Sequence, residues 1–274
     1  MANISKKTFD RLSSGIKRFQ QILINAKSRD VNESDTVIIV TDILSDIFGY
    51  DKYSEITSES AIRSSFCDLA TKLNGKLQTL IEVKSIGVDL KDNHIKQAID
   101  YAANQGVDFV VLTNGIDWKI FRIAFTKPIG QELVFEFDLL ELVSKNADDV
   151  EKLYLLSREG WLKSYLYEFH SQKQALSRFF IAAMILNDAV IDVIRRELRK
   201  MSPDIKITSE QIRDVIYQEV LKRDVVEGEK AEIAKKKIAK ALNKASKNKS
   251  SKESIPPKKY KEDLQIIPQA TNKN

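Results

Sequence analysis

Three residues in FCDLATKLNGKLQTLIEVKS, residues 66–85, have the types and spacing for chemistry: Asp68, Glu82 and Lys84. Glu82 and Lys84 are two apart in a run that reads as a strand, so their side chains leave the same face. The neighbouring Leu80, Ile81 and Val83 call for burial, where an isolated charge is costly. One reading is a strand end emerging into water, with both charges simply solvated. Asp68, on the preceding strand, opens the other. Two carboxylates on adjacent strands form an oxygen-lined site suited to Mg²⁺ or Mn²⁺, with waters completing the octahedron. A lysine beside them can hold and help deprotonate a water, or stabilise charge on a phosphoryl group. Together they form a constellation for phosphodiester hydrolysis.

That chemistry requires Asp68 to share a face with Glu82 and Lys84, and the Asn74-Gly75 hairpin decides whether it does. A simple two-residue turn places Asp68 opposite Ile81 and points it away from the other two. A three-residue turn, Leu73-Asn74-Gly75, puts Asp68 on the face of Leu80, Glu82 and Lys84. The hydrolytic reading therefore needs an odd-length turn or a bulge, and bulges are over-represented beside active sites.

The elements around these residues follow from periodicity. Residues 1 to about 30 read as a short helical lead-in, and Glu33 to Phe48 as a helix stopped by Gly49. Tyr53–Thr57, Ser65–Lys72 and Lys76–Lys84 read as strands. Lys91–Gln105 returns to helix, with Ile95, Ala98, Ile99 and Ala102 on one face. Val107–Thr113, Asp117–Ala124 and Glu132–Phe137 are further strands, the first two joined through Asn114-Gly115. The order describes an α/β sandwich with a mixed sheet flanked by helices. After about Leu139 the pattern is helical. Asp148–Ser157 and Trp161–His170 are followed by a longer helix from about Gln172 to Lys200, broken at Met201-Ser202-Pro203. Thr208 and Gln211 make a capping box for a helix to about Lys222. From Ala231 a lysine-rich helical pattern begins, and from Asn243 the composition argues for disorder. These boundaries give an α/β domain over 1–140, a helical domain over 141–228 and a basic tail over 229–274.

Composition narrows the possibilities. The 274 residues are 43% hydrophobic and 30% charged, an ordinary globular composition. One cysteine, Cys67, rules out an internal disulfide and fits a reducing cytoplasm. With only two histidines a His/Cys zinc site cannot be built, so a catalytic metal would be a hard cation held by carboxylates. The start lacks the apolar stretch of a secretory signal, and no run is long enough to span a bilayer. The net charge of +5 is uneven: Glu229–Asn274 holds 13 lysines against 5 acids, leaving −3 for the remainder. A basic tail suits phosphate backbones and equally suits a solvated end.

Residues 33 to about 123 resemble the N-terminal nuclease domain of type I restriction enzyme R subunits, a branch of the PD-(D/E)XK superfamily. The resemblance is carried by Asn32-Glu33 opening the first helix, Phe48-Gly49-Tyr50 closing it, Glu59, Asp68, IEVK at 81–84, Gln97 with Tyr101, and LTNGIDWKIF at 112–121. It implies that Asp68 and Glu82 bind metal, that Lys84 assists the attacking water, and that Gln97 projects toward the same site. Glu33 is either a further metal carboxylate or a helix-start acid favoured by the macrodipole. Gln97 is otherwise a polar surface residue. Cys67 stands where the family often has proline. No G-x-x-x-x-G-K-[ST] loop occurs, so no ATP-driven translocation is expected of this chain.

Elsewhere, His94 and His170 read as surface or cap residues, and Trp118 and Trp161 as core anchors. Arg195, Arg196, Arg199 and Lys200 form a basic cluster, read either as helix-end cations or as phosphate contacts. The expected activity is metal-dependent hydrolysis of DNA, in restriction or defence, with a homodimer or a separate specificity or restraining protein as a further partner. The competing expectations are a non-catalytic nucleic-acid-binding module and a helical interaction protein whose apolar stripe, Leu176 to Ile194, meets a partner.

Overall fold

The computed structural model of this chain describes residues 3–58, 67–125 and 128–250. It divides into two compact units, Met1–Gln172 and Lys173–Asn274. This division falls about thirty residues beyond the expected boundary at 140, because the helices after the sheet pack into the first unit's core.

The first unit opens with α1 (Lys6–Ser28), capped by the Ser5 hydroxyl, which accepts from the Thr8 amide at 3.2 Å. The expected short lead-in is instead a 23-residue core helix, burying Leu12, Ile16, Phe19, Leu23 and Ala26 at helical spacing. Gly15 lets it approach its neighbour: a Cβ there would lie 2.7 Å from Ile47 Cγ1. Asn32 caps α2 (Glu33–Asp42), which continues as a π-helical turn over Ile43–Ile47, and Gly49 then turns the chain at φ +80°.

Among the described residues the sheet has six strands in sequence order: β1 (Ile56–Ser58), β2 (Leu69–Leu73), β3 (Lys76–Val83), β4 (Phe109–Thr113), β5 (Asp117–Ala124) and β6 (Gly130–Asp138). Only β3 and β4 are parallel, joined through α3 (Lys96–Gln105); the other pairs are antiparallel. This is the expected mixed α/β arrangement. Alternation along β3 and β4 divides the core: Ile81, Val83 and Val111 join α1 and α2, whereas Leu80, Val110 and Leu112 join Ala98, Ile99 and Ala102 of α3. Glu59 and the start of the expected second strand lie outside the described residues.

After the sheet come α4 (Ala147–Leu156), α5 (Arg158–Leu162) and α6 (Tyr165–Ala175). Ser164, at φ +60°, separates α5 from α6, dividing the single helix expected over Trp161–His170. Trp161 packs in this core, as expected, edge-on to Phe109.

Among the described residues the second unit contains α7 (Arg178–Ile185), α8 (Asp188–Met201), α9 (Ser209–Val215), which continues as a π-helical turn over Ile216–Val220, α10 (Arg223–Val226) and α11 (Glu229–Ser250). One long helix was expected over 172–200. The chain breaks it twice, because Ser177 caps the amide of Phe180 and Asn187 that of Ala189, each restarting a helix. The Thr208–Gln211 capping box forms as expected. Helix persists to Ser250, so the disorder expected from Asn243 does not begin there; residues 251–274 lie outside the described residues. No helix among the described residues is long and apolar enough to cross a membrane.

Candidate active site

Asn74 and Gly75 both take left-handed conformations, φ 52° and 73°, and make a two-residue turn that pairs Leu73 with Lys76 and Lys72 with Leu77. The register then shifts: Thr71 pairs with Thr79, Ala70 with Leu80 and Leu69 with Ile81. Gln78 is the extra residue, a bulge in β3. Its side-chain oxygen accepts from Trp161 Nε1 at 2.7 Å. Of the two devices that the hydrolytic reading required, the molecule uses the bulge rather than the longer turn. One step further along the shifted register, Asp68 comes level with Glu82 and shares its face.

The carboxylate of Asp68 is fixed to the strand, since its Oδ2 accepts from the Val83 amide at 2.6 Å. The Lys84 ammonium lies 2.7 Å from Glu82 Oε1 and 3.4 Å from Glu33 Oε2 at the start of α2. Glu82 and Lys84 are 15% and 21% exposed, so neither is the fully solvated strand-end charge of the bland reading. Glu33 is the most open, at 45%.

The electrostatics follow from this crowding. Burial raises the Glu82 pKa most; the Lys84 hydrogen bond opposes it, and the charges of Asp68 and Glu33 add to the rise. For Lys84, burial by itself would lower the pKa. The Glu82 hydrogen bond and the negative charges of Glu82, Glu33 and Asp68 outweigh it, and the net shift is upward. The lysine is thus held charged among carboxylates, while Glu82 resists ionisation.

Among the described residues no group of three or more His, Cys, Asp or Glu forms a ready-made metal cage. What converges is two carboxylates on one sheet face with an ammonium beside them. Lys84 Nζ marks a position where a cation is held by Glu82 and Glu33. This donor set fits a hard divalent cation completed by water or phosphate oxygens.

Gln97 stands exposed on the first turn of α3, the helix that covers this sheet face. Among the described contacts no hydrogen bond joins it to Asp68, Glu82 or Lys84. Tyr101, one turn on, packs against the α3 core. The basic cluster lies on α8 and is engaged locally. Arg195 pairs with Asp192, Arg196 and Lys200 with Glu197, and Arg199 donates to the Ile207 carbonyl.

His94 caps a turn, accepting from the Lys91 amide at 3.3 Å. His170 is not a surface or cap residue: it is 4% exposed, 2.7 Å from Arg122 Nη1 through Nδ1 and 3.3 Å from Glu132 through Nε2. Trp118 is a core anchor, donating to the Gly115 carbonyl. Sequence reasoning missed the side-chain work of Asn114 and Lys119. Asn114 accepts from the amides of Ile116 and Asp117 and donates to the Val88 carbonyl; Lys119 donates to the Leu90 carbonyl. The signal that could have found Asn114 was its place in a Thr-Asn-Gly turn, where asparagine side chains bond local amides.

Residues 39–134 match the family described as type I restriction enzyme R protein N terminus, which bears out the resemblance read from the motifs. The match covers about a third of the chain. It includes Asp68, Glu82, Lys84, Gln97 and the 112–121 segment, and leaves out Glu33 and the whole second unit. Neither the curated proteins nor the solved structures yielded a match.

Proposed function

We propose that the first unit is a metal-dependent nuclease of PD-(D/E)XK type that hydrolyses DNA phosphodiester bonds in a restriction-related role. The observation that carries this reading is the bulge at Gln78, which brings Asp68 level with Glu82 and Lys84 on one face. Bulges are over-represented beside active sites. The family match of residues 39–134 supports the restriction-related part.

Asp68 and Glu82 would hold Mg²⁺ or Mn²⁺, and Glu33 is placed to add a carboxylate. When bound, such an ion lowers the pKa of water and neutralises charge on the phosphate. Asp68 is held in a fixed position on the strand by its bond from the Val83 amide. Lys84 then leaves Glu82 for the attacking water or a non-bridging phosphate oxygen, where its positive charge stabilises the charge that develops. Gln97, exposed on α3, orients water or phosphate. The second unit and the basic tail supply nucleic-acid or partner-protein contacts, with Arg195, Arg196, Arg199 and Lys200 as phosphate candidates.

Purified protein incubated with supercoiled and linear DNA, with Mg²⁺, Mn²⁺ or EDTA, tests the reading beside Lys84→Ala. Metal-dependent cutting that disappears in a folded Lys84→Ala supports it. Absence of both cutting and Mn²⁺ binding by the wild type overturns it in favour of a non-catalytic binding module.

A further inference from the structure

We propose that Asn114 and Lys119 are positioning residues for Lys84, clipping in place the Ser85–Leu90 strap that leads from the end of β3 toward α3. The inference rests on the nuclease reading and adds to it the part of the molecule that holds the lysine still.

Lys84 is one residue past the end of β3. Its own amide donates to the Thr113 carbonyl at 2.8 Å, the last rung joining it to β4. Beyond it the strap has no regular structure, yet it is anchored at alternate residues. Ile86 is buried in the core under α1, and Leu90 in the core under α3. Asn114 Nδ2 donates to the Val88 carbonyl at 3.0 Å, and Lys119 Nζ to the Leu90 carbonyl at 3.0 Å. Gly87 lies so close to the α1–α2 turn that a Cβ would sit 2.6 Å from Asp30 Oδ1.

The two ends of the Asn114 side chain do different work. Its oxygen accepts from the amides of Ile116 and Asp117, at 3.0 and 2.7 Å, which builds the β4–β5 turn. That task needs only an acceptor, and aspartate would perform it. The nitrogen donates to the Val88 carbonyl of the strap at 3.0 Å and, at the longer distance of 3.4 Å, to Asp117 Oδ2 in the turn, and both bonds need a donor. Asn114 is 3% exposed, so this donor has no access to bulk water as an alternative partner. Lys119 supplies a second donor from β5 to the same strap. The lysine's root is thus fixed on both sides: by Thr113 at its own amide, and by the clip four and six residues on. Reacting groups displaced by about 1 Å lose on the order of 100-fold in rate, so a strap that drifts would matter even with Lys84 intact.

The test compares wild type with Asn114→Asp, which keeps the turn acceptor, removes the donor and sets a carboxylate against Asp117, and with Lys119→Met and Lys119→Arg, which leave the Asn114 bonds in place. Should Asn114→Asp fold poorly, the Lys119 pair carries the test alone. With Mg²⁺ and DNA, kcat is expected to fall by about 100-fold in Asn114→Asp, with KM for DNA and Mn²⁺ affinity unchanged. Lys119→Met shifts the same way and Lys119→Arg restores the rate. Amide exchange across 86–90 quickens by about tenfold in the two impaired variants. An active wild type with equally active variants, a change in KM alone, or no rescue by arginine overturns the clip and leaves the nuclease standing. A wild type that cuts no DNA removes the nuclease reading and the clip with it.

Discussion

The two units are built from similarly apolar sequence and use it differently. In Met1–Gln172 both faces of a six-stranded sheet are covered, and side chains as large as Phe19, Phe48, Phe109 and Trp118 are fully buried. Among the described residues of the helical unit the buried groups are two small clusters, Ala182 with Val225 and Val226, and Ile191 with Ile212 and Ile216, and three side chains along α11, Ala231, Ala234 and Ile238. Ile181, Val193, Met201, Ile205 and Val220 there remain exposed. A sheet buries residues on two faces at once, whereas short helices broken by caps each bury one narrow stripe. A site needing charges held at fixed distances in low dielectric is served by the first kind of packing. Asp68, Glu82, Lys84 and Glu33 all lie in that unit.

The contrast can be broken by experiment. Phe19→Ala should cost about 3–5 kcal/mol of stability, because it opens a cavity under the sheet. Chemical denaturation would reveal it, and a loss below 1 kcal/mol would sink the claim that α1 is core. Next, Lys84→Ala should lower metal-dependent cleavage by about 100- to 1,000-fold without loss of fold, read by initial rates and circular dichroism. Equal rates would move the chemistry elsewhere. In the helical unit Ile212→Ala should cost about 2 kcal/mol, near the low end for such truncations, since its surroundings are already partly open. A cost equal to that of Phe19→Ala would erase the difference between the units.

A smaller effect sharpens the electrostatic side. Burial and the nearby carboxylates raise the Glu82 pKa, so the folded state holds its proton more tightly than the unfolded state does. Its contribution to stability is therefore fully present below the ordinary glutamate pKa and is lost as pH rises through the raised folded value. Glu82→Gln should accordingly raise the melting temperature at neutral pH. That gain should shrink as the pH drops below the usual carboxylate range; a gain that stays constant with pH would refute the assignment. The smallest effect concerns α8. Replacing Arg199 or Lys200 by Ala should change stability by no more than about 0.5 kcal/mol, because the Lys200–Glu197 pair is exposed and screened and the Arg199 bond to the Ile207 carbonyl is exposed. A salt-dependent loss of DNA binding in the same variants would assign the cluster to phosphate contact.

Much of the site was legible because its signals are local. The i, i+2 spacing put Glu82 and Lys84 on one face; Asn32 and Thr208 announced helix starts; Asn114-Gly115 announced a turn. The pieces that escaped notice depend on distant partners. His170 looked like a surface residue because nothing near it in sequence reveals Arg122 and Glu132, which meet it from other elements. Asn114 looked like turn chemistry alone because Val88, its other partner, is 26 residues away. The single helix expected over 172–200 failed for a local reason: apolar periodicity outweighed the capping side chains of Ser177 and Asn187.

By itself the sequence determined the alternation of β3, the trio Asp68, Glu82 and Lys84, and the condition that joins them, a bulge or an odd turn. Only the tertiary structure decided which of those occurs and where. Alternation is a property of one strand, set by backbone geometry over neighbouring residues. Register belongs to two strands and to whatever packs on them. Here Gln78 is the extra residue, held by Trp161 from a helix 83 residues away, and that choice brings Asp68 level with Glu82.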